Sequence, residues 1–273
     1  MLDTSRIAFI GGGVMCEAIL SRLLKGSSLS ADAISVAEPI AARREQLAGK
    51  YAVHVTSDNA AAAEQATIVV LSVKPQIMSL AMESIKAGLA QTALVISIAA
   101  GVAIRSIQNV LGSQQPVVRV MPNTPAQIGE GLSVWTTTAQ VSVAQKEQAR
   151  SILQAMGREV YVENEHYLDM ATALSGSGPA YVFLFMEALI DAGVQLGFSR
   201  PVAQQLVEQT LKGSVDFAIA SGRHVAELRN QVTSPGGTTA AGLYELESGR
   251  LRTTIADAVR AAYRRSIELG KSE

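Results

Sequence analysis

"RIAFIGGGVMCEAIL", residues 6–20, runs from an apolar β-rich segment through three consecutive glycines into a helix-like pattern. Glycine lacks a Cβ, so clustering it serves a sharp turn and the close approach of another group. The spacing fits G-x-G-x-x-(small), with Gly11, Gly13 and Cys16 in the three positions. The first glycine permits the turn, and the second lets a pyrophosphate lie against N–H groups at the helix start. The small third residue packs helix on strand. The helix dipole favours the anion as well. A strand–turn–helix of this kind opens a dinucleotide-binding sheet and predicts further βαβ units behind it.

The pattern continues so to about residue 160. "RIAFI" (6–10), "AISVA" (33–37), "YAVHV" (51–55), "TIVVLSV" (67–73), "ALVISI" (93–98) and "PVVRVM" (116–121) read as strands. Their nearly unbroken apolar character suits parallel strands covered on both faces. Between them Pro39 and Pro75 suit first helical turns and Asp58 suits a cap, while Gly26, Gly49 and Gly88 fall where helices should stop. "LSVWTT" (132–137) and "EVYV" (159–162) would close the domain. Beyond Val162 every periodic stretch is helix-like. The reading is an α/β chain: a Rossmann-type doubly wound sheet over 1–162, then an all-helical domain over 163–273. The helix of "PAYVFLFMEALIDAGVQLG" is apolar on nearly every face through Tyr181–Met186. It must be enclosed on all sides, which a small helical domain hardly does alone, so a homodimer is expected.

Composition narrows the function. Of 273 residues 48% are hydrophobic and 17% charged, which suits a compact globular chain. With 23 basic and 24 acidic residues the net charge is −1, so no global field recruits nucleic acid or an anionic membrane. The basic cluster Arg250, Arg252, Arg260, Arg264 and Arg265 reads as a solvated helix face or a subunit contact. A single cysteine and three scattered histidines, His54, His166 and His224, give no metal-ligand spacing, and no metal is expected. "TALVISIAAGVAI" (92–104) falls short of the ~20 residues a bilayer span needs, and nothing ahead of the first strand reads as a signal peptide. A cytoplasmic protein without membrane partners is expected.

Ligands of open α/β sheets bind at the carboxyl ends of strands. Glu38, ending the second strand, stands where an acidic residue binds the adenosine ribose of NAD. Arg43 and Arg44 could instead receive the 2′-phosphate of NADP, and the sequence leaves that choice open. "SVKP" (72–75) and "SIAAGV" (97–102) form two more strand-end loops, with Ala99, Ala100 and Gly101 small enough for a flat nicotinamide and Lys74 facing the cofactor or solvent. In the helical half "LSGSGPAY" (174–181) and "VTSPGGTT" (232–239) each read as a Ser/Gly-rich helix start, either plain caps or an anion receptor suited to a carboxylate.

The strings "VKP", "SIAAGV", "RVMPNTPA", "LSGSGPAYVF" and "VTSPGGTTAAGLYELESG", in this order, resemble the pyrroline-5-carboxylate reductases over essentially the whole chain. The resemblance implies reduction of the cyclic imine 1-pyrroline-5-carboxylate to L-proline with NADPH or NADH, the last step of proline biosynthesis. It also implies an intertwined dimer of the helical domains, often built into decamers, with active sites at the subunit interface. On the family's pattern the cofactor meets Gly11, Gly13, Val14, Met15, Asn59, Val73, Lys74, Ala99 and Ala100. Backbone N–H groups of Gly237, Thr238 and Thr239 take the substrate carboxylate, and the Thr239 hydroxyl is similar to the group that meets the ring nitrogen. Glu165, Ser175 and Ser234 are similar to residues lining that pocket. Cys16, for the usual Gly or Ala, and Val14, where Asn is common, depart from the pattern. A cyclic imine can arrive protonated, so positioning matters more than an acid; the long helix indeed offers no lysine, unlike that of hydroxyacid dehydrogenases. Reduction of another cyclic imino acid, or a non-catalytic dinucleotide sensor, remain the other readings.

Overall fold

The computed structural model describes residues 2, 4–26 and 29–271. The first half alternates strand and helix: β1 Ile7–Ile10, α1 Val14–Gly26, β2 Ile34–Ala37, α2 Ala41–Tyr51, β3 His54–Thr56, α3 Asn59–Ala63 and β4 Ile68–Leu71. Then come α4 Met78–Lys86, β5 Leu94–Ser97, α5 Ile104–Leu111, β6 Val117–Met121, β7 Gly131–Thr137, α6 Val143–Ala155 and β8 Gly157–Tyr161. The helices that follow are α7 His166–Ala171, α8 Gly178–Gln195, α9 Arg200–Ser221, α10 Val225–Gln231, α11 Thr238–Ser248 and α12 Leu251–Lys271.

One eight-stranded sheet has the order β3-β2-β1-β4-β5-β6-β7-β8, parallel except where β6 meets β7. The order reverses between β1 and β4, which creates a crevice at their carboxyl ends. Alternation along β1 fills both faces. Ile7 and Phe9 join the core with Ile19, Leu20 and Trp135, whereas Ala8 and Ile10 join the other with Leu71, Met78 and Ile85. The doubly wound sheet followed by helices is the expected fold.

Some local expectations are corrected. Gly49 does not end its helix: α2 continues to Tyr51 and stops at Ala52, which is left-handed at φ 56°. The third strand is accordingly His54–Thr56 rather than 51–55. "LSGSGPAY" does open α8, at Gly178, but what precedes it is helical rather than a loop. Thr172–Gly176 forms a π turn, with the Ser177 N–H donating to the Thr172 carbonyl at 2.8 Å, and α7 runs through it into α8. The π turn takes in Gly176, and Gly178 is the first residue of α8. The resulting stretch, His166–Gln195, with mean hydropathy 1.3 in its most apolar window, is long and apolar enough by length and composition to cross a membrane.

The chain divides into two compact units, Met1–Ser177 with Ala261–Glu273, and Gly178–Arg260. Within the helical unit, Ala203 is the one buried residue among those described. Phe183 and Leu184 of α8 stay 62% and 67% exposed, so this unit has apolar faces and scarcely any core of its own.

Candidate functional site

The glycine loop lies between β1 and α1, at the strand-order reversal. Gly11 adopts φ +102°, and a Cβ there would come 2.8 Å from Val73 Cγ1 and 2.9 Å from the Ser72 carbonyl oxygen. Its N–H donates to the Ala37 carbonyl at 2.8 Å, and the Ser72 hydroxyl donates to the Gly11 carbonyl at 2.8 Å. Gly11 is therefore fixed against β2 and the end of β4. Gly13 differs: a Cβ there would meet nothing within 4 Å. Its exposed backbone leads into α1, beside exposed Val14 and half-buried Met15. An open glycine at the first turn of a 13-residue helix fits the pyrophosphate of a dinucleotide. Cys16 fills the small third position in the core, where burial pushes its thiol pKa far up.

The other strand ends flank this loop. Val73 and exposed Lys74 follow β4, with Lys74 starting a short 3-10 turn at Pro75. Buried Ala99 and half-buried Ala100 follow β5, and Gly101 turns at φ +78° with the Leu269 Cβ 3.1 Å from where its own Cβ would be. Asn59 opens α3 and donates from Nδ2 to Ser84 Oγ at 3.0 Å. A separate cavity lined by Arg6, Ser30, Asp32, His54 and Gln65 opens at the amino ends of the strands, away from the crevice.

Glu38 and Arg43 have partners within the protein that the sequence does not reveal. Glu38 is 8% exposed, and its two oxygens accept from the N–H groups of Gly12 at 2.9 Å and Ile40 at 3.0 Å. Arg43 is engaged through Nε with the Gly12 carbonyl at 2.7 Å and through Nη2 with Glu17 at 2.6 Å. Both therefore grip the glycine loop, and Glu38, just past the end of β2, keeps further acceptor lone pairs on its carboxylate.

Glu165 begins a network that sequence reading missed. Its Oε1 accepts from the Ile104 N–H and from Arg119 Nη1, each at 2.7 Å, thereby capping α5 just beyond the Ala99–Gly101 loop. Arg119 is buried on β6, with Asp169 Oδ1 3.8 Å from Nη2, and Ser266 Oγ donates to that oxygen at 2.7 Å. A lone arginine in "PVVRVM" was the available signal, since a buried charge needs partners. Ser175, in the π turn, accepts from Asn123 Nδ2 at 3.1 Å.

In the helical unit Ser234, Thr238 and Thr239 are exposed around the start of α11. Gly236 turns at φ +68°, Gly237 is the N-cap, and no side chain caps the helix. A Cβ on Gly237 would overlap Ser234 Oγ. Among the described residues no side chain accepts from the first N–H groups of this 11-residue helix.

Residues 165–269 match the family model of pyrroline-5-carboxylate reductase dimerisation, and 6–101 match that of NADP oxidoreductase, coenzyme F420-dependent. The pyrroline-5-carboxylate reductase of Pseudomonas aeruginosa is 42% identical over 270 residues, spanning 99% of this chain and 98% of that protein. That of Synechocystis is 44% identical over 266 residues, spanning 97% and 98%. Among solved structures, a pyrroline-5-carboxylate reductase from Coxiella burnetii gives a TM-score of 0.90 at 41% identity, covering 97% of this chain and 98% of that one. Pyrroline carboxylate reductase from Plasmodium falciparum with NADP bound also gives 0.90, at 35% identity and covering 98% and 99%. With a glycine-rich strand–helix turn at the crevice of its sheet, an uncapped SPGGTT helix start in its second half and likeness along its whole length, the chain belongs to the pyrroline-5-carboxylate reductase family.

Proposed function

We propose that the protein reduces 1-pyrroline-5-carboxylate to L-proline with NADPH or NADH, completing proline biosynthesis. The observation that carries this is the uncapped SPGGTT start of α11, a carboxylate receptor that a mere dinucleotide sensor would not need, in a chain of this family. Gly11, Gly13, Val14 and Met15 cradle the cofactor phosphates, while Val73, Lys74, Ala99 and Ala100, with Asn59 beside them, line the path to the nicotinamide. Reduced nicotinamide, when bound, supplies the hydride for the C=N carbon. N–H groups of Gly237, Thr238 and Thr239 hold the substrate carboxylate, and the Thr239 hydroxyl orients the ring nitrogen. Ser175, Ser234 and Glu165 complete the pocket, Glu165 through its cap on α5. Residues 163–273 act as the substrate-binding and dimerising half. The apolar faces of α8 are covered by a second copy, as the dimerisation match over 165–269 supports, rather than by lipid. Dimers assembling further into decamers, in the cytoplasm, complete the reading.

NAD(P)H oxidation on addition of 1-pyrroline-5-carboxylate tests the activity, with proline as product; cofactor binding without turnover would leave a sensor. Thr239→Val keeps shape but removes the hydroxyl, and should lower kcat/KM by roughly ten- to hundredfold with NAD(P)H affinity unchanged. Thr238→Val should cost less, because Thr238 contributes its backbone. Equal losses in both variants would remove the Thr239 hydroxyl from the mechanism.

A further inference from the structure

Gly12, the glycine between the two motif positions, is held at both its N–H and its carbonyl by side chains of the β2–α2 segment. Glu38 Oε2 accepts from its N–H at 2.9 Å, and Arg43 Nε donates to its carbonyl at 2.7 Å. It is seated tightly as well, since a Cβ there would come 2.9 Å from Leu47 Cδ1 and 3.0 Å from Glu38 Cβ. Glu17, in the first turn of α1, fixes the other end of Arg43. Its Oε2 lies 2.6 Å from Arg43 Nη2, and its Oε1 takes Lys50 at 2.8 Å and the Tyr51 hydroxyl at 2.9 Å. Arg43 Nη1 donates to Gln46 at 2.8 Å, so all three nitrogens of that guanidinium are occupied. Arg44 is different. Its Nη1 holds the Glu38 and Pro39 carbonyls at 2.7 and 2.8 Å, and its Nε and Nη2 have no partner among the described residues. It therefore offers guanidinium donors at the carboxyl end of β2, where the adenosine ribose of a dinucleotide lies in this fold.

We infer that Glu38 and Arg43 are positioning residues that clamp Gly12 from both sides and serve NADH and NADPH alike, while Arg44 discriminates the 2′-phosphate. The inference rests on the reading of the glycine loop as the dinucleotide site. A loop held at both ends keeps its N–H groups aimed at the phosphates before the cofactor arrives, so the ordering cost is not drawn from binding. That benefit belongs to the pyrophosphate, which both cofactors share. The 2′-phosphate belongs to NADPH alone.

Titrating the full-length protein with NADPH and with NADH, followed by nicotinamide fluorescence, gives two dissociation constants for each variant. Arg43→Gln and Glu38→Gln should raise both constants by roughly tenfold and by the same factor. Glu17→Gln, which frees the guanidinium while leaving the loop's own contacts, should do likewise at smaller amplitude. A role in stability alone would lower the melting temperature and leave both constants unmoved in the cold. Arg44→Gln should raise the NADPH constant by roughly tenfold and spare NADH. A changed NADPH/NADH ratio in Arg43→Gln, or two unchanged constants, overturns the clamp; equal losses in Arg44→Gln overturn its discriminating role. Should Glu38→Gln fail to fold, Arg43→Gln and Glu17→Gln, whose side chains lie nearer the surface, carry the test. If Gly13→Val binds both cofactors as tightly as the unaltered protein, the loop is not the dinucleotide site, and the inference falls with that reading rather than on its own.

Discussion

Gly11 and Gly13 stand two residues apart and are glycines for different reasons. Gly11 combines φ +102° with backbone at 2.9 Å, so any side chain there strains the fold itself. Gly13 faces open space, and its missing side chain matters only to what lies against the loop. Gly13→Val should therefore leave circular dichroism and melting temperature nearly unchanged while abolishing measurable NAD(P)H binding. An unchanged affinity would remove the loop from the site. Glu17 carries a second consequence at this scale. The hydrogen bond from Lys50, with those from Arg43 and Tyr51, lowers its pKa from 4.5 to about 2 in the folded protein. A carboxylate depressed on folding adds stability that is fully present above its unfolded pKa and lost as pH falls through the folded one. The stability difference between the unaltered protein and Glu17→Gln should be level above about pH 4.5 and close between there and about pH 2. Urea midpoints across that range measure it; a difference that persists unchanged at the acid end would refute the ion pairs as its source.

Elements here are fixed by contacts their own sequences do not contain. The N-terminus of α5 has no cap of its own side chains, and Glu165, 61 residues on, supplies the acceptor at 2.7 Å. The π turn between α7 and α8 likewise places Gly176 where a Cβ would overlap Met121 Cε on β6. At the far edge of the sheet Gly131 and Gly157 are register partners in β7 and β8. Gly157 adopts φ +139°, and a Cβ on it would overlap the Gly131 carbonyl oxygen and reach 2.6 Å from its nitrogen. Because the obstacle is backbone rather than a flexible side chain, Gly157→Ala should destabilise by at least ~2 kcal/mol. Chemical denaturation gives the value directly, and a loss within ~0.5 kcal/mol would show that β8 shifts freely.

At the scale of the whole molecule, the exposed apolar faces of α8 demand a partner. Leu184→Arg puts an unpaired charge into the surface the proposed dimer buries, and should weaken association by more than about a hundredfold. Sedimentation at micromolar concentration reads this as a shift to monomer; an active monomer before mutation would refute the dimer altogether. Much of this was legible beforehand. The G-x-G-x-x-(small) spacing after "RIAFI", the Val- and Ile-rich strands and the helical second half define the fold class, because local turn chemistry and hydrophobic period act within a few residues of chain. Residues 234–239 likewise read as a helix start, either a plain cap or an anion receptor, and the structure shows no side-chain cap there. Other features were beyond local reading. Gly49 reads as a helix end, yet α2 continues to Tyr51, and the Ser/Gly stretch ahead of α8 reads as a loop, yet it forms a π turn. Glu38 and Arg43 read in the sequence as charges for the adenosine end of a dinucleotide, and only the fold shows that both also hold Gly12. Composition and periodicity decide which elements form. Which charges remain available to a ligand is decided by partners tens of residues away, since a buried polar group must be satisfied by whatever the fold brings beside it.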